Sequence, residues 1–471
     1  MRNLQERHEC ERRVALDEID KYLCATVGRR RCGPHETVQL TELAAYMYDF
    51  ETMSQPMIRK MVPAVGLVVA TSMLMACDLD HTNGATGGGV PFPGYLMPVG
   101  PPAECDHYIE PSDDDQTAIQ TALIEAEEGQ TVCLSPGEFV LNGELNIGKK
   151  DLTFQGAGPD VTTLDFSGQD LGANGIHIQS DGVTIMDMTV SEPPGDGIRA
   201  TDVNDIVFKN THVRWAAKSS ESNGDYGLYP VGCTGVRIED SLVQGSRDAG
   251  IYVGQSNTVL VKDSEAYENV AGIEIENTTD AEVVGCYTHD NSAGVLVFNL
   301  PDLVVQDGKR TKVHQNKIHD NNLGNFADPG GVVAMVPGGT GVLVLASDNN
   351  EITNNEISGN GTAAVIYVSY NNTIFGETMD MNFDRYAQNN YFHDNTLMGN
   401  GESGQGILTG AGADIVVDGC FDQSMELGPQ RNCVKQSGSP TFNNVNLCEL
   451  KPALTLSDFD CELQGLGGQD P

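Results

Sequence analysis

Three features of the 471-residue sequence point to an all-β chain wound as a right-handed parallel β-helix. The phrase Gly-apolar-x-apolar recurs at Gly227, Gly250, Gly272 and Gly294, at intervals of 23, 22 and 22 residues. Each period contains three short apolar-x-apolar pieces bounded by Gly, Asn, Asp or Ser, the pattern of very short strands. In the coil opening at Gly250 they are Ile251-Tyr252-Val253, Val259-Leu260-Val261 and a weaker piece around Ala266. The Leu-x-x-Leu-x-Leu frame of a leucine-rich repeat, the rival at this period, is absent.

Taken from its start, the chain changes character near Lys60. Residues 1–60 hold ten basic and ten acidic residues, so the formal charge of −40 lies entirely beyond them. Residues 1–56 read as a leader or a mis-assigned start. In 57–76, Arg59 and Lys60 precede an uncharged, mostly apolar run too short for a comfortable membrane span, as in a secretory signal. Leu74-Met75-Ala76-Cys77 resembles a bacterial lipobox, which implies cleavage before Cys77 and lipidation of its thiol. The expected product is an exported cell-envelope lipoprotein that meets the membrane only through its lipid. Residues 77–103, with Gly87-Gly88-Gly89 and several prolines, read as a tether. The acidic surface and the lack of basic patches speak against nucleic acid as a partner.

Residues 104–150 read as an N-terminal cap. Asp113-Asp114-Asp115 leads into a run in which Ala118, Ile119, Ala122, Leu123 and Ala126 share one helical face, with Gly129 after its end. Such a helix can cover the open apolar end of the first coil. Cys105 and Cys133 bracket it and are expected to form a disulfide in an exported protein. The coils occupy 151–412, and 413–471 is a cysteine-containing C-terminal cap. Its Cys420, Cys433, Cys448 and Cys461 allow three pairings. Cys233 and Cys286 sit two coils apart at different strand positions and read as buried small hydrophobes.

Repetition of the first-strand phrase predicts an inward ladder of Ile176, Ile198, Leu228, Ile251, Ile273, Val295, Val342 and Val365. Asn316, Asn355 and Asn395 open third strands and can form either an amide ladder or ordinary turns. Trp215 is expected beneath the insertion at 218–225. That insertion and those at 299–310 and 322–340 all border the first strands. Insertions gathered on one face of a solenoid mark its binding face.

Alternation then places His177, Arg199, Tyr229, Tyr252, Glu274 and Leu296 outward on the first-strand face, with Glu276 and Phe298 two residues further on. Asp225 and the pair Arg247-Asp248 lie just before their strands, and Lys218 lies in an insertion. Aromatic rings with carboxylates and an arginine between them suit a glycan, either uronic-acid-containing or neutral. Tyr229, Tyr252, Glu274, Glu276 and Arg199 are the candidate catalytic residues. Asp225, Asp248, Arg247, Lys218, His177 and Phe298 are the candidate substrate contacts. A lyase or epimerase would need a base, a cation and a proton donor; a tyrosine of lowered pKa, with Arg199 or Lys218, would supply them. Asp225 and Asp248 are oxygen ligands of the kind Ca²⁺ prefers. A hydrolase would need two carboxylates, and Glu274 and Glu276 are about 6.6 Å apart along a strand. The leading expectation is a protein that binds and modifies a polysaccharide, as a lyase or C5-epimerase before a hydrolase; a non-catalytic glycan- or protein-binding surface is the alternative. The histidines of His289-Asp290-Asn291 and His319-Asp320-Asn321 read as turn residues more readily than as a metal pair.

The run GDYGLYPVGC…DAGIYVGQS…NVAGIEIENT…GVLVFNLP resembles a family of exported bacterial parallel β-helix repeat proteins. It is similar, more distantly, to the pectate lyase superfamily and the alginate C5-epimerases. The resemblance implies the fold and an exported location. The chain has Asp328-Pro329-Gly330 and no Asp-Pro-His or Gly-His-Gly, so no catalytic residue carries over from those enzymes.

Overall fold

The computed structural model describes residues 105–422 and 432–468. The expected leader, signal, lipidated Cys77 and tether therefore lie outside the described residues. Among those described, the strands form two parallel sheets, one of eleven strands and one of twenty. The first strands of successive coils build the smaller sheet, in the order Gly143–Ile147, Leu171–Ile178, Ile198–Thr201, Tyr226–Val231, Ala249–Gly254, Ala271–Glu276 and Ala293–Phe298, continuing to Phe442–Asn444. Second and third strands share the larger sheet. Pairing is in register: Ile251 faces Ile273 and Ile273 faces Val295.

The recurrent glycine has a steric cause. A Cβ placed on Gly272 would lie 2.7 Å from the carbonyl oxygen of Gly294 in the next coil. Behind each glycine, the expected inward ladder from Ile176 to Val365 is fully buried. The turns are held by side-chain amides. Asn316 Nδ2 donates to Asn355 Oδ1 at 2.9 Å, and Asn355 Nδ2 to Asn395 Oδ1 at 2.9 Å. A second ladder, not anticipated from sequence, links Asn269, Asn291, Asn321, Asn360 and Asn400. These asparagines are buried, and each amide supplies the partner that a coil's turn would otherwise lack.

Helix Asp115–Glu125 starts where the Asp114 side chain accepts from the Thr117 amide, and it buries Ile119, Ala122 and Leu123. It packs against strands Gly143–Ile147 and His107–Ile109. Cys105 is bonded to Cys133, and the C-terminal cysteines pair 420–448 and 433–461. Cys233 and Cys286 are buried and unbridged. Trp215 is buried, its Nε1 donating to the Pro193 carbonyl at 2.8 Å.

The regular coils are interrupted at 299–308, 320–339, 369–390 and 399–412. These segments lie over the outer face of the first-strand sheet. Val333, Val336, Tyr370, Phe383 and Leu408 from them form a second apolar core with Leu296, Phe298, Leu343 and Ile366. The solenoid thus has one core inside the coil and another outside it.

Candidate functional site

The external core changes the expected face. His177, Arg199 and Tyr229 are register neighbours in three successive coils and remain partly exposed. One coil further up, Tyr252 is 4% exposed, and its neighbours Glu274 and Glu276 are 3% and 8% exposed. Phe298 is 2% exposed, packed within the outer core. Tyr252, Glu274 and Glu276 point outward as alternation requires, but the insertions cover them. Phe298 therefore serves as a packing residue under that roof rather than as a substrate contact.

Three tyrosines stand where open face meets roof. Ring centroids are 4.5 Å apart for Tyr226 and Tyr229, 4.6 Å for Tyr226 and Tyr252, and 5.0 Å for Tyr229 and Tyr252. The Arg199 guanidinium lies 4.9 Å from the Tyr229 centroid. Tyr252 folds along its own strand over Gly254, where a Cβ would fall 2.2 Å from its hydroxyl. That path lets the hydroxyl donate to Glu276 Oε1 at 2.8 Å. Tyr226 donates to Asp248 Oδ2 at 3.2 Å.

Carboxyl groups surround these rings. Burial pushes Asp248, Glu274 and Glu276 above the ordinary carboxyl range, and their mutual repulsion raises Asp248 and Glu274 further. Among the described residues Glu274 Oε2 is buried with no hydrogen-bond partner. Nearer the open face, burial raises Asp196 to about 6, against the pull of Arg199. Arg199 Nη1 is 3.7 Å from Asp196 Oδ2, and its Nε donates to Thr201 Oγ1 at 3.2 Å. His177 lies 3.8 Å from Glu144, and burial lowers its pKa.

Two chemical expectations are corrected. No tyrosine here has a lowered pKa: burial pushes Tyr229 up to about 12 and takes Tyr226 and Tyr252 well above the usual value. As neutral phenols they can donate hydrogen bonds but cannot act as bases near neutral pH. Lys218 does not reach the face; its Nζ pairs with Glu268 at 2.9 Å, along the third-strand edge. Arg247 Nε donates to Asp225 Oδ1 at 2.5 Å, and its Nη1 donates to the Glu221 carbonyl at 3.2 Å. Asp225 is thus engaged by that guanidinium and Asp248 by the Tyr226 hydroxyl. Among the described residues no three His, Cys, Asp or Glu side chains converge to hold a metal. His289 and His319 stack with centroids 5.4 Å apart, and each pairs with its own neighbouring aspartate.

Asp196 and Tyr226 were not among the sequence candidates. Both occupy the position just before a first-strand glycine, which shares a column with Ala249, Ala271 and Ala293. Strict alternation from Leu228 and Ile198 would turn this position inward, whereas Tyr226, Ala249, Ala271 and Ala293 pack in the outer core, so a period of two could not have found them.

The chain belongs to the right-handed β-helix region family, whose model matches residues 174–335 and 303–446, more than half of the sequence. Among solved structures it is similar to the A-module of a mannuronan C-5 epimerase from Azotobacter vinelandii. That match has 17% identity and a TM-score of 0.51, and covers 71% of this chain and 91% of that one. It is also similar to a DFA-IIIase from Arthrobacter chlorophenolicus (12% identity, TM-score 0.41, 69% and 90% covered). A third similar structure is pectate lyase Pel9A (17% identity, TM-score 0.36, 62% and 76% covered). At 17% identity the likeness to the epimerase module is one of fold. No curated protein matches the sequence.

Proposed function

We propose that this protein binds a polysaccharide along the open part of its first-strand face and modifies it by carboxyl acid–base chemistry, hydrolysing a neutral chain. The observation that carries the reading is Asp196, a largely buried carboxyl (8% exposed) at the edge of the open face, raised by burial to about 6 and one coil below the ion-paired Asp225. A raised acid beside an ionised carboxylate is what glycoside hydrolysis requires. Asp196 would donate its proton to the leaving glycosidic oxygen. Asp225 would take a proton from the water whose oxygen bonds to the anomeric carbon. Arg199 and Tyr229 would hold the sugar by hydrogen bonds and ring contact.

Charge favours a neutral chain. Arg199 stands beside Asp196, with Asp225 and Glu144 near that carboxyl, and burial holds His177 toward its neutral form. The second reading, a lyase or C5-epimerase acting on a uronic acid residue, draws support from the contact between Arg199 and Tyr229. There the guanidinium would offset the substrate carboxylate while a carboxylate took the proton.

Heavy-water incubation with a panel of polysaccharides, read by mass spectrometry, separates these readings. Fragments carrying added water support hydrolysis. Unsaturated fragments mean lyase, and deuterium uptake without cleavage means epimerase. If every chain returns unchanged yet binds, the protein is a binding module. Asp196→Asn should abolish hydrolysis. In the parent, the rate should fall as pH rises through about 6, because the donor must be protonated. A pH limb that survives the substitution would remove Asp196 from the role.

Export and lipidation at Cys77 belong to the same proposal. The three disulfides among the described residues suit an oxidising compartment. Intact mass of membrane-extracted protein checks it: a species retaining residues 1–56 would refute cleavage before Cys77.

A further inference from the structure

The first-strand face is a groove with one blind end. Its middle outward column runs through Asn146, His177, Arg199 and Tyr229, all at least partly exposed. From the next coil upward the same column continues as Tyr252, Glu274, Leu296 and Leu343, all buried. The change is complete within one coil. At about 4.8 Å per coil the open part is about 14 Å long, room for a few sugar units.

The obstruction is packed protein. The outer core packs Tyr252, Leu296, Phe298 and Leu343 with Val333 and Val336, so apolar side chains occupy the face above Tyr229. Both flanks are built up at that level. On one edge the 215–225 segment is tied in by Arg247, which bonds both Asp225 and the Glu221 carbonyl. On the other edge the 299–308 segment leans back over the two coils below it, where Asn277 Nδ2 donates to the Val305 carbonyl at 2.7 Å and the amide of Val304 donates to Gln255 Oε1 at 3.1 Å. A chain lying along the groove meets a wall in front and raised edges beside it.

We infer that the protein acts on the ends of glycan chains and not on their interiors. The terminal sugar abuts Tyr252, and the linkage addressed is one of the first below the wall. Asp196 and Asp225 lie within about two coils below Tyr252, which places the acid–base pair at that linkage. The inference rests on the glycan reading of this face and adds its direction and its substrate form.

The test needs no variant that might fail to fold. The full chain is titrated with hexasaccharides of cellulose, xylan, β-1,3-glucan, α-1,3-glucan, pectate and alginate. Each is offered free, coupled to a bulky support through its reducing end, and coupled through its non-reducing end. For a glycan that binds free, one coupled form should bind as the free one does. The other should weaken by about tenfold or more, because the support cannot pass the wall. Equal binding of both coupled forms would overturn the blind end while leaving the glycan reading standing. No binding of any free hexasaccharide would overturn both. With a substrate that turns over, release of mono- or disaccharide before any fall in viscosity supports end-wise action, and an early fall in viscosity overturns it.

Discussion

Replacing Tyr252 by Phe removes one hydroxyl from a site with little access to water. That hydroxyl donates to Glu276 Oε1 at 2.8 Å, and both residues are under a tenth exposed. A neutral hydrogen bond contributes about 1 kcal/mol, and one to an ionised group about 1.5–3 kcal/mol. The loss should therefore depend on the charge of Glu276. Burial raises Glu276, and the Tyr252 bond partly offsets that rise, so the substitution raises it further. The sign follows from linkage. A carboxyl whose folded pKa lies above its unfolded value stabilises the fold fully below the unfolded value, about 4.3, and loses that contribution as pH rises through the folded value. The parent should lose stability with rising pH, and Tyr252→Phe should lose it more steeply. The expected cost is about 1 kcal/mol near pH 5 and about 2–3 kcal/mol near pH 9. Urea unfolding followed by the fluorescence of Trp215, the chain's single tryptophan, measures it. A double-mutant cycle with Glu276→Gln should remove the pH-dependent part. A cost equal at both pH values, or below about 0.5 kcal/mol at the higher one, would refute the assignment of this bond.

Other perturbations test neighbouring claims. Gly254→Ala places a methyl 2.2 Å from the Tyr252 hydroxyl, so the ring must move; a cost of about 1–3 kcal/mol with the same pH signature as Tyr252→Phe is expected in urea titrations. Glu274→Gln removes an acid whose Oε2 is buried without a partner; stability between about pH 5 and about pH 8 should flatten relative to the parent, and an unchanged slope would count against proton retention there. Asn355→Ala deletes bonds to Val313 and Asn395 and leaves the Asn316 donors short of a partner; the expected loss is on the order of 2–4 kcal/mol. Removing the Cys105–Cys133 bridge, which spans a separation of 28 residues, should cost about 3–4 kcal/mol on chain-entropy grounds, read as a lower urea midpoint.

Much of the fold was legible because a solenoid writes its period into the chain. Gly272 and its equivalents recur because the carbonyl of the next coil leaves no room for a Cβ. Ile251, Ile273 and Val295 recur because the same inward position is buried in every coil. The helix at Asp115–Glu125 followed from a local apolar face and an aspartate cap. The Cys105–Cys133 bridge followed from two cysteines bracketing one element.

The site was legible only in part. Alternation assigns Tyr252, Glu274 and Phe298 to the outside of the coil, and they are there. Whether an outward residue meets water depends on where aperiodic segments settle, and 299–308, 320–339, 369–390 and 399–412 carry no repeat to place them. Their packing turned an expected open surface into a short groove ending in a wall. It shifted the tyrosine and carboxyl pKa values upward, because desolvation is a property of the assembled surroundings and not of residue type. The unrepeated 215–225 segment likewise brings Lys218 to Glu268. The pairing of the four C-terminal cysteines was decided in the same way, since even spacing allows three connectivities and only folded proximity selects 420–448 and 433–461. The repeating contacts between coils were therefore determined by sequence alone, and the contacts made by unrepeated segments were decided by tertiary packing.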